Sequence, residues 1–204
     1  MSIKKNEKMV KVVFAGETNV GKTSIVERSI FERHGQHTPT VGAAFAAKKV
    51  IHKDKSVMLG IWDTAGQERY QSMSAIYFRQ AIICVLVFDL TKRESFRKIP
   101  MWKDLCDEAN CDYQTSENSD IPIYILIGNK LDMKDKAVTM SEIEQYCTAN
   151  NIRHYIETSA VTGVGIDKLY EAMAEESCNI KLPLSKKLAI HPLPPDNKSQ
   201  CPCY

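Results

Sequence analysis

Apolar residues in this chain fall into two patterns that take turns along its length. One is a short continuous run, as in a buried strand; the other is a stripe at three-to-four-residue spacing, as on a helix. Val10–Ala15 (VKVVFA) is a β-rich run that ends at Gly16, and a helical stretch follows from Gly21 to about Glu32. Phe45–His52 and Val57–Asp63 read as two strands joined by a Lys-Asp-Lys turn. Gln67–Gln80 is helix-like with a loop-like start, and Ile82–Asp89 is continuously apolar, as a strand covered on both faces should be. Ser95–Asn110 carries Phe96, Ile99, Trp102 and Leu105 at helical spacing, and Ile121–Asn129 is another central strand. Ser141 and Glu144 have the spacing of a capping box for a helix ending near Asn150. Arg153–Thr158 is a last short strand and Ile166–Cys178 a last helix. Strands that alternate with helices imply an α/β fold, a mostly parallel sheet wrapped on both faces.

After Cys178 the periodicity stops. Residues 179–204 contain five of the eight prolines, Pro183, Pro192, Pro194, Pro195 and Pro202, and read as an extended tail.

Four segments carry chemistry. Gly16-Glu-Thr-Asn-Val-Gly21-Lys22-Thr23 fits GxxxxGK[ST] between a strand and a helix, the context that a phosphate-binding loop requires. Its glycines let backbone N–H groups wrap a phosphate. Lys22 can reach the β- and γ-phosphates, and the Thr23 hydroxyl can ligate Mg²⁺. Trp62-Asp63-Thr64-Ala65-Gly66-Gln67-Glu68 follows a strand. Asp63 there can hold Mg²⁺, often through water; Gly66 lets an N–H approach the γ-phosphate; Gln67 can orient an attacking water. Asp63 taken alone could equally be a turn residue. Asn129-Lys130-Leu131-Asp132 follows another strand, and its Asp132 carboxylate can accept two hydrogen bonds from guanine, which adenine cannot supply. Glu157-Thr158-Ser159-Ala160 could offer an N–H to the guanine O6, with Ser159 bracing Asp132, or could be a plain Ser-containing loop. All four sit at the C-terminal ends of predicted parallel strands, where open α/β sheets bind ligands.

With GETNVGKTS, TPTVG, WDTAGQER, GNKLD and ETSA in order, the sequence resembles the Ras superfamily of small GTPases over about Lys8–Cys178. VGAAF (Val41–Phe45), IWDTAGQERY (Ile61–Tyr70), YFRQA (Tyr77–Ala81) and LVFDLT (Leu86–Thr91) make the Rab family the nearest likeness, and GAAF is similar to its endosomal branch. The resemblance implies a P-loop small G domain, a six-stranded sheet with one antiparallel edge strand and about five helices. It implies a GTP-on, GDP-off switch for vesicle trafficking, with Mg²⁺ and GTP/GDP as cofactors and slow hydrolysis without a GAP. Nucleotide contacts would come from Gly16, Thr18, Asn19, Val20, Gly21, Lys22, Thr23, Ser24, Thr40, Gly66, Asn129, Lys130, Asp132, Ser159, Ala160 and Val161. Thr23, Thr40 and Asp63 would serve the metal, and Gln67 and Lys22 the chemistry. Expected partners are effectors, an exchange factor and a GAP at Val41–Phe45 and Gln67–Tyr77, and prenylation-escort and GDI-type proteins. The G domain would be monomeric, at 8–178, between an extension at 1–7 and the tail at 179–204.

Departures from the family pattern carry expectations of their own. The place of the aromatic residue that covers the guanine ring holds His34, which offers less stacking area and so predicts faster nucleotide release. Val161 stands where a lysine is usual, which loosens the base pocket. Asn110–Asp120 is a longer, polar, exposed loop. The chain ends CPCY, so Cys201 and Cys203 are expected to be prenylated despite Tyr204, with Lys181, Lys186, Lys187 and Lys198 adding attraction to anionic lipid.

Composition narrows the classes. A chain of 204 residues with a formal charge of +2 lacks the basic field of a nucleic-acid binder. It opens MSIKKNEK, with no signal-peptide h-region, and holds no run of 18 apolar residues. Its seven cysteines read as reduced thiols. The expected place is the cytosol and the cytoplasmic face of endomembranes, in particular endosomal ones. Two other classes compete with a switch: a pseudo-GTPase acting as a binding module, suggested by His34 and Val161, and a metabolic or translational GTPase, disfavoured by the lack of a second domain.

Overall fold

The structure, a computed structural model, describes residues 9–31, 40, 42–66, 76–111 and 122–180. Its strands are β1 (Met9–Ala15), β2 (Ala43–His52), β3 (Lys55–Thr64), β4 (Ile83–Asp89), β5 (Ile123–Asn129) and β6 (His154–Glu157). Its helices are α1 (Lys22–Phe31), α2 (Arg93–Arg97), α3 (Ile99–Asn110), α4 (Met140–Ala149) and α5 (Ile166–Asn179). The sheet order is β2-β3-β1-β4-β5-β6. Only the edge strand β2 runs antiparallel, paired with β3. The expected α/β class and mostly parallel sheet are what the fold contains.

The two faces of the sheet follow from the period-two geometry of a strand. On one face Val12, Phe14, Leu59, Ile61, Val85, Ile125 and Ile127 pack with Ile25 of α1 and with Leu169 and Met173 of α5. On the other, Val13, Ala15, Cys84, Leu86, Phe88 and Leu126 pack with Ile99, Trp102 and Cys106 of α3 and Ile143 of α4. Every residue of β4 is buried, which explains its unbroken apolar run. Trp102, Tyr170 and Cys84 are core residues, as their sequence positions suggest.

Several boundaries differ from the sequence reading. The expected helix over Ser95–Asn110 is two helices that meet at Lys98. Pro100 lies in the first turn of α3, where its missing N–H is harmless, and its ring stops α2 from continuing. The capping box is Thr139 with Glu142, two residues before the expected pair. Thr139 has the extended backbone of an N-cap, whereas Ser141 already lies inside the helix. Strand β5 starts at Ile123 because Pro122 has no N–H to give the ladder. At the β2–β3 turn Lys53 and Asp54 both have positive φ, the geometry that suits a two-residue hairpin. Of the helix expected over Gln67–Gln80, residues 76–78 are helical and 67–75 lie outside the described residues.

Leu126 in central β5 is fully buried. Leu126→Ala is expected to cost about 2–5 kcal/mol of stability, read by denaturant unfolding.

Candidate functional site

The C-terminal ends of β1, β3, β5 and β6 point to one edge of the sheet, and the four sequence motifs emerge there. The loop after β1 carries a lysine into the interior. Lys22 is 6% exposed, and its Nζ donates to the carbonyls of Gly16 (2.8 Å) and Glu17 (3.0 Å). Burial lowers its pKa to about 8, against the pull of Asp63 and Glu17. An ammonium held this way favours an anion beside it.

Next to Lys22 the hydroxyl of Thr23 donates to Asp63 Oδ2 at 2.6 Å and lies 2.9 Å from the hydroxyl of Thr40. With the Thr23 proton committed to Asp63, Thr40 is the donor of the second bond. Burial raises the Asp63 carboxyl, and the Thr23 bond and Lys22 partly oppose it. Its other oxygen, Oδ1, is buried without a hydrogen-bond partner among the described residues. Two hydroxyls and a carboxylate with one unsatisfied oxygen fit a hard divalent cation, which takes oxygen ligands.

Gly66 closes the site from β3. A Cβ there would meet the carbonyl group of Glu17 and the nitrogen of Thr18 at 2.5 Å, so only glycine lets the two loops touch. Gly21, at φ +98, passes just as close to the side chain of Asn129. That asparagine, 2% exposed, joins three loops: its Nδ2 donates to Val20 O (2.8 Å), and its Oδ1 accepts from Thr158 Oγ1 (3.1 Å). Lys130 reaches back to Asp89, with Nζ 2.8 Å from Oδ2. Burial would raise the Asp89 carboxyl, but bonds from Lys130 and Thr91 outweigh it and hold it below its ordinary value. Ser159 Oγ donates to Asp132 Oδ1 at 2.5 Å, the bracing contact expected from sequence.

The remaining candidate positions sit around this frame. Asn19 is exposed with φ +61, Thr18 and Ser24 are half-buried, and Ala160 is buried. Val161 is 51% exposed. His34, Gln67, Cys201, Cys203 and the 112–121 part of the polar loop lie outside the described residues.

Three features went unread in the sequence. Thr158 and Asp89 fix the side chains of Asn129 and Lys130; a carboxylate ending a fully apolar strand was the signal for Asp89. The third is an aromatic row. Phe45 packs at a tilt against Trp62 (5.2 Å between centroids), and Trp62 likewise against Tyr77 (5.7 Å). Trp62 lies on the partly exposed phase of β3, opposite in phase to Leu59 and Ile61, so alternation alone could have shown it.

The Ras family model matches residues 11–179. Over 178 residues the chain is 33% identical to the Ras-related protein Rab7 of Drosophila melanogaster, covering 87% of this chain and 84% of that one. It is 39% identical over 174 residues to the Ras-related protein Rab-24 of Dictyostelium discoideum, covering 83% and 81%. It is 36% identical over 174 residues to the Ypt/Rab-type GTPase ypt7 of Schizosaccharomyces pombe, covering 84% and 83%. A buried loop lysine, a cluster of two hydroxyls and a carboxylate, and an Asp132 braced by Ser159 meet at one edge of the sheet, and the chain belongs to the Rab family of small GTPases.

Proposed function

We propose that this chain works as a Rab-type GTPase switch in vesicle trafficking, with GTP hydrolysis as its reaction and partner binding as its output. The observation that carries this reading is the Thr40–Thr23–Asp63 hydrogen-bond chain beside the buried Lys22 ammonium. Thr40 follows α1 in the chain, and its hydroxyl bonds to that of Thr23 beside the phosphate loop. A γ-phosphate would recruit the same hydroxyl, so its loss on hydrolysis would release Thr40 and the surface near Ala43–Phe45.

Within that cycle each residue has a task. Lys22 takes up charge on the β- and γ-phosphate oxygens, in a site already dry enough to make that contact strong. Thr23 and Thr40 would hold Mg²⁺, with Asp63 behind them. Mg²⁺, when bound, neutralises charge on the phosphate oxygens as the bond to the leaving group breaks. Gln67 orients the attacking water. Hydrolysis is slow without a GAP, and the G domain acts as a monomer.

Asp132 selects guanine by accepting from two of its N–H donors, while Ser159 fixes its orientation. The loops around it carry Gly16, Thr18, Asn19, Val20, Gly21, Ser24, Gly66, Asn129, Lys130, Ala160 and Val161 as nucleotide contacts. His34 stands in sequence where the family has the aromatic residue that covers guanine, and its smaller stacking area would shorten nucleotide residence.

The Phe45–Trp62–Tyr77 row is the apolar ground on which effectors, exchange factor and GAP meet the G domain. Among the described residues no helix is long and apolar enough to cross a membrane. Attachment to endosomal membrane would instead run through prenyl groups on Cys201 and Cys203 at the end of the 179–204 tail, with escort and GDI-type proteins handling the modified chain. The G domain spans 8–178 and residues 1–7 precede it.

Three measurements test this reading. Single-turnover hydrolysis by GTP-loaded protein should slow at least roughly tenfold in Gln67→Leu, with nucleotide binding kept; equal rates would remove Gln67 from the chemistry. Asp132→Ala should cut the preference for GTP over ATP by roughly 100-fold, read by competition with a fluorescent GDP analogue. The intact mass of the chain from its native host should exceed the sequence mass by two prenyl groups. The unmodified mass would refute anchoring through the tail.

A further inference from the structure

Helix α3 holds a backbone or side chain of the site's surroundings at each end. At its start, Lys98 Nζ lies 3.0 Å from Glu17 Oε2, across 81 positions of sequence. Glu17 belongs to the phosphate loop: its carbonyl accepts from Lys22, and its peptide touches Gly66 so closely that a Cβ would not fit between them. At the far end, Asn110 is 1% exposed and spends its amide on three backbone groups. Its Nδ2 donates to Phe78 O (2.9 Å) and Cys106 O (2.7 Å), and its Oδ1 accepts from the Ala81 N–H (3.2 Å). Phe78 follows Tyr77, whose ring packs against Trp62 in the aromatic row.

The body between these grips is stiff. Ile99, Trp102 and Cys106 are fully buried against the sheet, so α3 cannot bend to absorb a shift at one end. Its 12 residues span about 18 Å. The Lys98–Glu17 pair is not a stability device: Lys98 is about half exposed, and pairs of that kind contribute little. The pair does place the root of α3 against the phosphate loop.

We propose that α3 is a strut that couples the phosphate loop to the partner surface, with Lys98 gripping Glu17 at one end and Asn110 gripping the Phe78–Ala81 turn at the other. Glu17, Lys98 and Asn110 are then positioning residues, each acting through the element it holds. The proposal rests on the reading of the phosphate site as the nucleotide site. When the phosphate loop changes its hold on ligand, Glu17 shifts Lys98, the packed helix moves as a unit, and Asn110 carries the shift to Tyr77 and Trp62. A network claim of this kind needs a response measured inside the path.

The chain supplies the probe, since its two tryptophans are Trp62 at the surface and Trp102 inside the strut. Full-length protein carrying 5-fluorotryptophan is loaded with GDP or with a non-hydrolysable GTP analogue, and the fluorine resonances are assigned with Trp62→Phe. Both resonances should move between the two states. Lys98→Met should reduce the Trp102 response by about threefold or more, and Lys98→Arg should restore it. Asn110→Ala should keep the Trp102 response and reduce that of Trp62; if that variant does not fold, the Lys98 pair decides alone. A Trp102 resonance that stays put in the unaltered chain while Trp62 moves overturns the strut and leaves the switch standing. An equal response in Lys98→Met overturns it too. A chain that takes up no guanine nucleotide overturns the site reading and the strut together.

Discussion

A lysine ammonium buried at the mouth of a parallel sheet is the constraint around which this molecule is arranged. Removing that charge from water is costly, and two carbonyls from Gly16 and Glu17 repay only part of it. Burial accordingly lowers the pKa of Lys22. Asp63 and Glu17 offset part of that cost, and the phosphate proposed for this loop would offset more. Asp63 poses the opposite problem: a buried carboxyl, raised by burial, with one oxygen left over among the described residues. A phosphate with a divalent cation answers both at once.

The sheet makes this possible by bringing loops from distant parts of the chain to one edge. Parallel strands all end on the same side, and their connecting loops meet there. Asn129 holds three of those loops together through Val20 and Thr158. Asp89 and Ser159 then fix the side chains of Lys130 and Asp132. Each tie is a polar bond closed within the protein.

What was legible in the sequence is what lies close together in it. The strand–loop–helix context of Gly16–Thr23, the period-two strands and the parallel order could all be read from local pattern. The partners of those motifs could not. Nothing local links Asn129 to Val20, 109 positions away, or Lys98 to Glu17. The capping box was misplaced because Thr139-Met-Ser-Glu142 and Ser141-Glu-Ile-Glu144 carry the same signature, and only the backbone tells which threonine or serine stands outside the helix. The split between α2 and α3 was hidden because the apolar stripe continues in phase across Lys98. Trp62 belongs both to the WDTAGQE motif and to the outward phase of its strand, and the motif masks the second role.

The central claim is that the buried Lys22 and the braced Asp132 jointly require a guanine nucleotide. The most direct test is the thermal unfolding of nucleotide-stripped protein with Mg²⁺ and either GDP or ATP. At about 1,000 times its dissociation constant a site-specific ligand stabilises by about 4 kcal/mol, which raises the midpoint by several degrees. The account predicts that rise with GDP and none with ATP. An equal rise with both, or none with GDP, would contradict it.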